Sequence, residues 1–198
     1  MPSPAVLSPA PALAAPTGTA TRPRPSLVPP IRRAGVPALA AALAAAADRW
    51  LHLVEYRPDS RWTHLLPSAD AAAVLDPSLH RELAAAEVWL LSWLPGQGTP
   101  LHDHGRSAGA FAVVRGSLTE RVVAPGRPGR PGRESTAELT GGSVRSFGAH
   151  YVHQVTNSAP VPAISVHVYA PRLTEMNTYS FAGDRLDRTG TEQAGVDW

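Results

Sequence analysis

The texture of the chain changes near Glu87. From there short apolar, β-prone runs alternate with Gly/Pro turns: VWLLSWL at 88–94, AFAVVRGSLTERVV at 110–123, SVRSF at 143–147, HQVT at 153–156 and AISVHVY at 163–169. Runs of this length and spacing, with no helical period among them, predict an antiparallel sandwich or barrel over 87–181. The stretch PGRPGRPGR, 125–133, interrupts the series and is expected to be a mobile hairpin loop. Upstream, 36–54 is dense in Ala and Leu, and Leu39, Leu43, Trp50 and Leu53 recur near helical spacing, which predicts a helix packed on the barrel. Residues 68–86, Ala-rich and broken by Pro77, read as one or two short helices or an inserted loop. The expected organisation is thus a disordered Ala/Pro-rich tail (1–30), a helical extension (31–86), the barrel (87–181) and a polar tail that frays (182–198).

Composition narrows the chemistry. None of the 198 residues is cysteine, which excludes a disulfide framework, a Cys-based zinc site and a thiol nucleophile. All 18 basic residues are arginine, yet the formal net charge is only +2, too small a field to draw in nucleic acid or an anionic membrane. No basic segment leads into an apolar signal run and no stretch approaches a membrane span, so a cytoplasmic monomer is expected.

Metal binding must therefore use histidine or carboxylate, and five of the eight histidines fall between Leu101 and Val168. His102 and His104 are two apart, so on an extended strand both project from one face while Asp103 points away. That is a pair of candidate metal ligands, and His153, one hairpin and one strand later, can supply a third imidazole. His150 lies at an odd offset from His153, which on a strand would turn it to the opposite face. Trp50, Trp62, Trp89 and Trp93 read as core residues, and Trp89, Leu91 and Trp93 share a face that could line a pocket.

Gly96, His102, His104 and Gly116 fit the spacing of the first cupin motif, G-x5-H-x-H-x3-4-E-x6-G, with Gly109 at the glutamate position. Gly142, His153 and Asn157 fit the second, G-x5-P-x-G-x2-H-x3-N, with Gly148 and His150 in place of its Pro and inner Gly. The glycines suit turns that need positive φ. Residues 87–179 resemble the cysteine dioxygenase family of thiol dioxygenases, and the likeness is sharpest at ISVHVYAP, where Ser165, His167 and Tyr169 alternate on one strand face. The resemblance implies a cupin barrel, a double-stranded β-helix or jelly roll, with N-terminal helices. It implies Fe(II) on His102, His104 and His153, with open positions for a small thiol substrate and O2. It gives Tyr169 a place beside the iron, oriented by His167 and Ser165.

In animal members of that family a cysteine at the position of Gly109 is cross-linked to the tyrosine; this chain resembles bacterial relatives with glycine there. The family's upstream Tyr-x-Arg, whose arginine pairs with the substrate carboxylate, has no clean counterpart. Near the expected place stands RWTHLL, 61–66, and Arg57, Arg61 and His64 are the candidates, of which Arg57 and Arg61 read equally well as surface residues. The expected function is oxidation of L-cysteine to cysteine sulfinic acid. Dioxygenation of 3-mercaptopropionate or another small thiol is the enzymatic alternative, and a non-catalytic cupin that senses a small ligand is the alternative outside enzymology.

Overall fold

A computed structural model describes residues 35–126, 128 and 130–194. The expected disordered tail, 1–30, lies outside them. No helix among the described residues is long and apolar enough to cross a membrane.

Among the described residues, eleven strands form two antiparallel sheets. In chain order they are β1 (Trp62–Leu66), β2 (Glu87–Trp93), β3 (Leu101–Asp103), β4 (Ala108–Arg115), β5 (Ser117–Ala124), β6 (Arg133–Thr140), β7 (Val144–Phe147), β8 (Val152–Thr156), β9 (Ala163–Ala170), β10 (Glu175–Ala182) and β11 (Arg185–Gln193). One sheet runs β1-β2-β9-β4-β7 and the other β11-β10-β3-β8-β5-β6. Between β2 and β10 the chain alternates between the sheets except at the β5–β6 hairpin, as in the double-stranded β-helix of cupins.

Strands β2, β4 and β9 are buried on both faces, which explains their nearly continuous apolar runs. Their outer residues, among them Leu90, Ala112, Val166 and Val168, pack with Leu39, Leu43 and Trp50 into one core. Their inner residues join Leu118, Val155 and Phe147 in a second core between the sheets. The predicted helix is shorter than its pattern: α1 (Gly35–Ala45) gives way to single 3-10 turns at Ala47–Arg49 and Leu51–Leu53. The indole of Trp50 then turns back to donate to the Leu43 carbonyl at 2.8 Å. Residues 68–86 form two short helices, α2 (Ser68–Val74) and α3 (His80–Leu83), separated by a 3-10 turn that Asp76 caps through the Ser78 amide.

Two expectations are corrected. The helical extension of 31–86 contains a strand, because β1 pairs with β2 from Trp62↔Ser92 to Leu66↔Val88 and forms one edge of the first sheet. The tail expected to fray beyond 181 instead turns at Gly183 (φ 60°) and pairs along β10 as β11. Its polar residues fail to announce a strand because it is an edge, held by backbone hydrogen bonds and presenting mostly exposed side chains. Residues 125–133 join β5 to β6 with Ala124 opposite Arg133, as a hairpin connection should.

Candidate metal centre and active site

The three histidines converge between the sheets. His102 on β3 is the cross-strand partner of His153 on β8, and His104 follows directly on the end of β3. All three are buried, and their ligand nitrogens lie within 4.8 Å of one another. Hydrogen bonding fixes which nitrogen points inward. The Nδ1–H of His102 donates to the Pro100 carbonyl at 2.9 Å, and that of His153 to Glu120 Oε1 at 2.8 Å. Each thereby turns an Nε2 lone pair to the centre. The Nε2 atoms of His102 and His104 lie 3.2 Å apart. His104 has no hydrogen bond at Nδ1; its ring is held by stacking on Phe147, with centroids 4.8 Å apart and an interplanar angle of 20°. Burial first, and then the neighbouring imidazoles, hold His102 and His104 well below the usual histidine pKa. Neutral imidazoles with converging lone pairs are the donor set a divalent transition ion needs, so the cluster can hold a metal.

Asp103 points away from this centre, as its parity requires. Its Oδ1 accepts from the Gly105 amide (2.9 Å) and Asn177 Nδ2 (2.8 Å), and its Oδ2 from the Tyr179 hydroxyl (2.7 Å). The carboxylate therefore pins the ligand strand to β10.

On β9 the alternation is as read: Ile164, Val166 and Val168 face the helices, while Ser165, His167 and Tyr169 face inward. The inward three form a relay. The Trp93 indole donates to Ser165 Oγ at 2.9 Å, Ser165 Oγ lies 2.9 Å from His167 Nε2, and His167 Nδ1 lies 3.3 Å from the Tyr169 hydroxyl oxygen. With the indole N–H fixed as a donor, one consistent assignment has Ser165 donating to Nε2 and Nδ1–H donating to the tyrosine oxygen. The Tyr169 O–H is then free to donate into the cavity. Burial raises the Tyr169 pKa, against the opposing pull of Arg61, and keeps the phenol protonated.

One cavity joins these groups. It is lined by His102, His104, His153, His167 and Tyr169, by the apolar Trp89, Leu91, Val155 and Met176, and by Arg61, Trp93 and Thr99. The face shared by Trp89, Leu91 and Trp93 does line the pocket. Of the three upstream candidates, Arg61 enters: its guanidinium lies over the Trp93 ring, 5.1 Å from the centroid, and reaches the Gly98 carbonyl at 3.5 Å, with Nε buried and unpartnered. Arg57 is exposed and paired with Glu55 at 3.2 Å, and His64 stacks on Trp62; neither lines the cavity. His150 is excluded by a turn, not by strand parity, since it sits exposed before β8 with φ 61°.

Sequence reasoning missed two contributors. Glu120 could have been found as the one charge in the inward stripe of β5, next to Leu118. Phe147 carried no such signal. A Cβ added to Gly109, which pairs with Tyr169, would meet the Phe147 ring at 2.7 Å, so that ring fills the place of a side chain at 109.

The profile of the family described as cysteine dioxygenase type I matches residues 79–182, just over half of the chain. No curated protein matches. Among solved structures, a protein from Thermus thermophilus is 24% identical with a TM-score of 0.43, over 62% of this chain and 93% of that one. An oxalate oxidase in complex with glycolate is 16% identical with a TM-score of 0.45, over 58% of this chain and 53% of that one, so the chain spans about half its length. A cupin superfamily protein from Desulfitobacterium hafniense is 12% identical with a TM-score of 0.41, over 65% of this chain and 87% of that one. These are likenesses of fold alone.

Proposed function

Because the chain belongs to the cysteine dioxygenase type I family, we propose that it is an iron(II)-dependent thiol dioxygenase that converts L-cysteine and O2 to cysteine sulfinic acid. The observation that carries this reading is the meeting of three imidazoles, a buried phenol and an arginine around one cavity. His102, His104 and His153 would hold the ion through Nε2. When bound, it supplies the Lewis acidity that turns a thiol into a thiolate and the redox chemistry that activates dioxygen.

The remaining work falls to the chain's own residues. Arg61 pairs with the substrate carboxylate, an interaction made strong by charge and by the apolar walls around it. The Tyr169 O–H donates to the carboxylate or to the oxygen being transferred, held at its angle by His167, Ser165 and Trp93. Trp89, Leu91 and Met176 keep water from the reacting sulfur. The Arg61 guanidinium, with one long bond to Gly98, is the group that shifts to admit substrate.

A second substrate is favoured by one observation: no acidic side chain is among the described residues lining the cavity. Nothing in that lining would pair with the ammonium of cysteine, and 3-mercaptopropionate has none to pair.

The test is oxygen uptake by the anaerobically purified, iron-loaded protein with each thiol, the product identified by mass. A gain of two oxygen atoms is expected, and the preferred thiol names the substrate. No uptake with either thiol by stoichiometrically loaded protein would overturn the proposal in favour of a binding cupin. Arg61→Gln is expected to raise KM about 10- to 100-fold, as loss of a charge-assisted hydrogen bond does. Tyr169→Phe is expected to lower kcat while metal affinity stays unchanged.

A further inference from the structure

Glu120 is 1% exposed inside the barrel, where Leu118 shows the residue type that such a position ordinarily holds. A buried carboxylate is costly unless its charge is paired and its lone pairs are used. Here both are. Oε1 accepts from His153 Nδ1 at 2.8 Å and from the Tyr151 hydroxyl at 3.4 Å, and Oε2 forms an ion pair with Arg145 Nε at 2.7 Å. Glu120 belongs to β5 and Arg145 to β7, so the pair also ties one sheet to the other.

We propose that Glu120 is a positioning residue for the metal centre: it fixes His153 as the Nδ1–H tautomer and, as an anion, makes its Nε2 the strongest donor of the three. His102 leans on a neutral carbonyl and His104 on an aromatic face, so the three imidazoles are not equivalent. The centre thereby gains, one hydrogen bond further out, negative charge that its all-imidazole donor set lacks. Arg145, whose side chain is 36% exposed, balances the carboxylate from the solvent side. The inference rests on the reading of His102, His104 and His153 as metal ligands.

The experiment is a titration of the full-length apo protein with Co(II), followed by its visible absorption, together with NMR of the His153 ring nitrogens. Glu120→Gln is expected to weaken Co(II) binding about 10- to 100-fold, the usual effect of losing such a partner. Beside Arg145 the glutamine amide turns its NH2 towards His153, which moves the ring proton to Nε2. Arg145→Ala breaks the same ion pair but leaves the His153–Glu120 bond, and it is expected to keep the Co(II) affinity within about fivefold. A purely structural role of the pair would shift both variants together, and that result, or wild-type affinity in E120Q, overturns the proposal. If circular dichroism shows E120Q unfolded, Glu120→Asp, which draws the charge back by one methylene, is expected to weaken Co(II) binding, and unchanged affinity there overturns the proposal equally. Failure of the unaltered chain to bind Co(II) overturns the metal-site reading itself.

Discussion

His150 occupies the place of the inner glycine in the second cupin motif, and it adopts the left-handed conformation that this place requires, at φ 61°. A side chain there is strained, so His150→Gly is expected to stabilise the protein by about 1 kcal/mol, read as a higher urea midpoint with an unchanged slope. His167 behaves differently because it is buried and bonded on both nitrogens. Burial first, then the Arg61 guanidinium and the neighbouring His153 and His102 imidazoles, hold its pKa well below the usual histidine value. The unfolded chain takes up a proton at this residue near pH ~6.5 and the folded chain does not. Its contribution to stability is therefore present above that pH and lost as the pH falls, at about 1.4 kcal/mol per pH unit for one proton. Urea titrations at descending pH should show the His167→Asn variant losing stability less steeply than the parent by that slope; equal slopes would mean that His167 is protonated in the fold.

At the scale of elements, β3 is only three residues long, yet it carries one metal-site histidine and leads directly to another. Such a strand has little hold of its own and depends on Asp103, which gathers Gly105, Asn177 and Tyr179. Asp103→Ala leaves those donors without their acceptor and is expected to cost about 3 kcal/mol, seen in urea unfolding, and to weaken Co(II) binding as the ligand strand loosens. What could be read along the chain follows the same division. The inward set Ser165, His167 and Tyr169 was legible because β9 is buried on both faces and parity alone sorts its residues. His102 and His104 were legible for the same reason. Arg61 was a candidate but could not be told apart from Arg57 and His64, because its entry depends on β1 pairing with β2 and on the distant Gly98, neither of which is visible in RWTHLL. The β11 strand was hidden because an edge strand with mostly exposed side chains has no apolar alternation to display.

For the molecule as a whole, strands β2, β4 and β9 separate two cores, one shared with the helices and one around the histidine cluster. Stability and chemistry can then be disturbed separately. Leu43 on α1 is fully buried in the outer core, and Leu43→Ala is expected to cost about 2–5 kcal/mol in urea unfolding while Co(II) affinity stays at the parent value. A parallel loss of Co(II) affinity would show that the sheet transmits outer-core damage to the site. The Phe147 ring beside Gly109 carries a different consequence, one of time. With no cysteine among the 198 residues, Tyr169 has no thiol within the chain to which it could become sewn. As far as that tyrosine is concerned, no thioether to a cysteine of this chain can form, so freshly made and aged molecules do not differ by that bond.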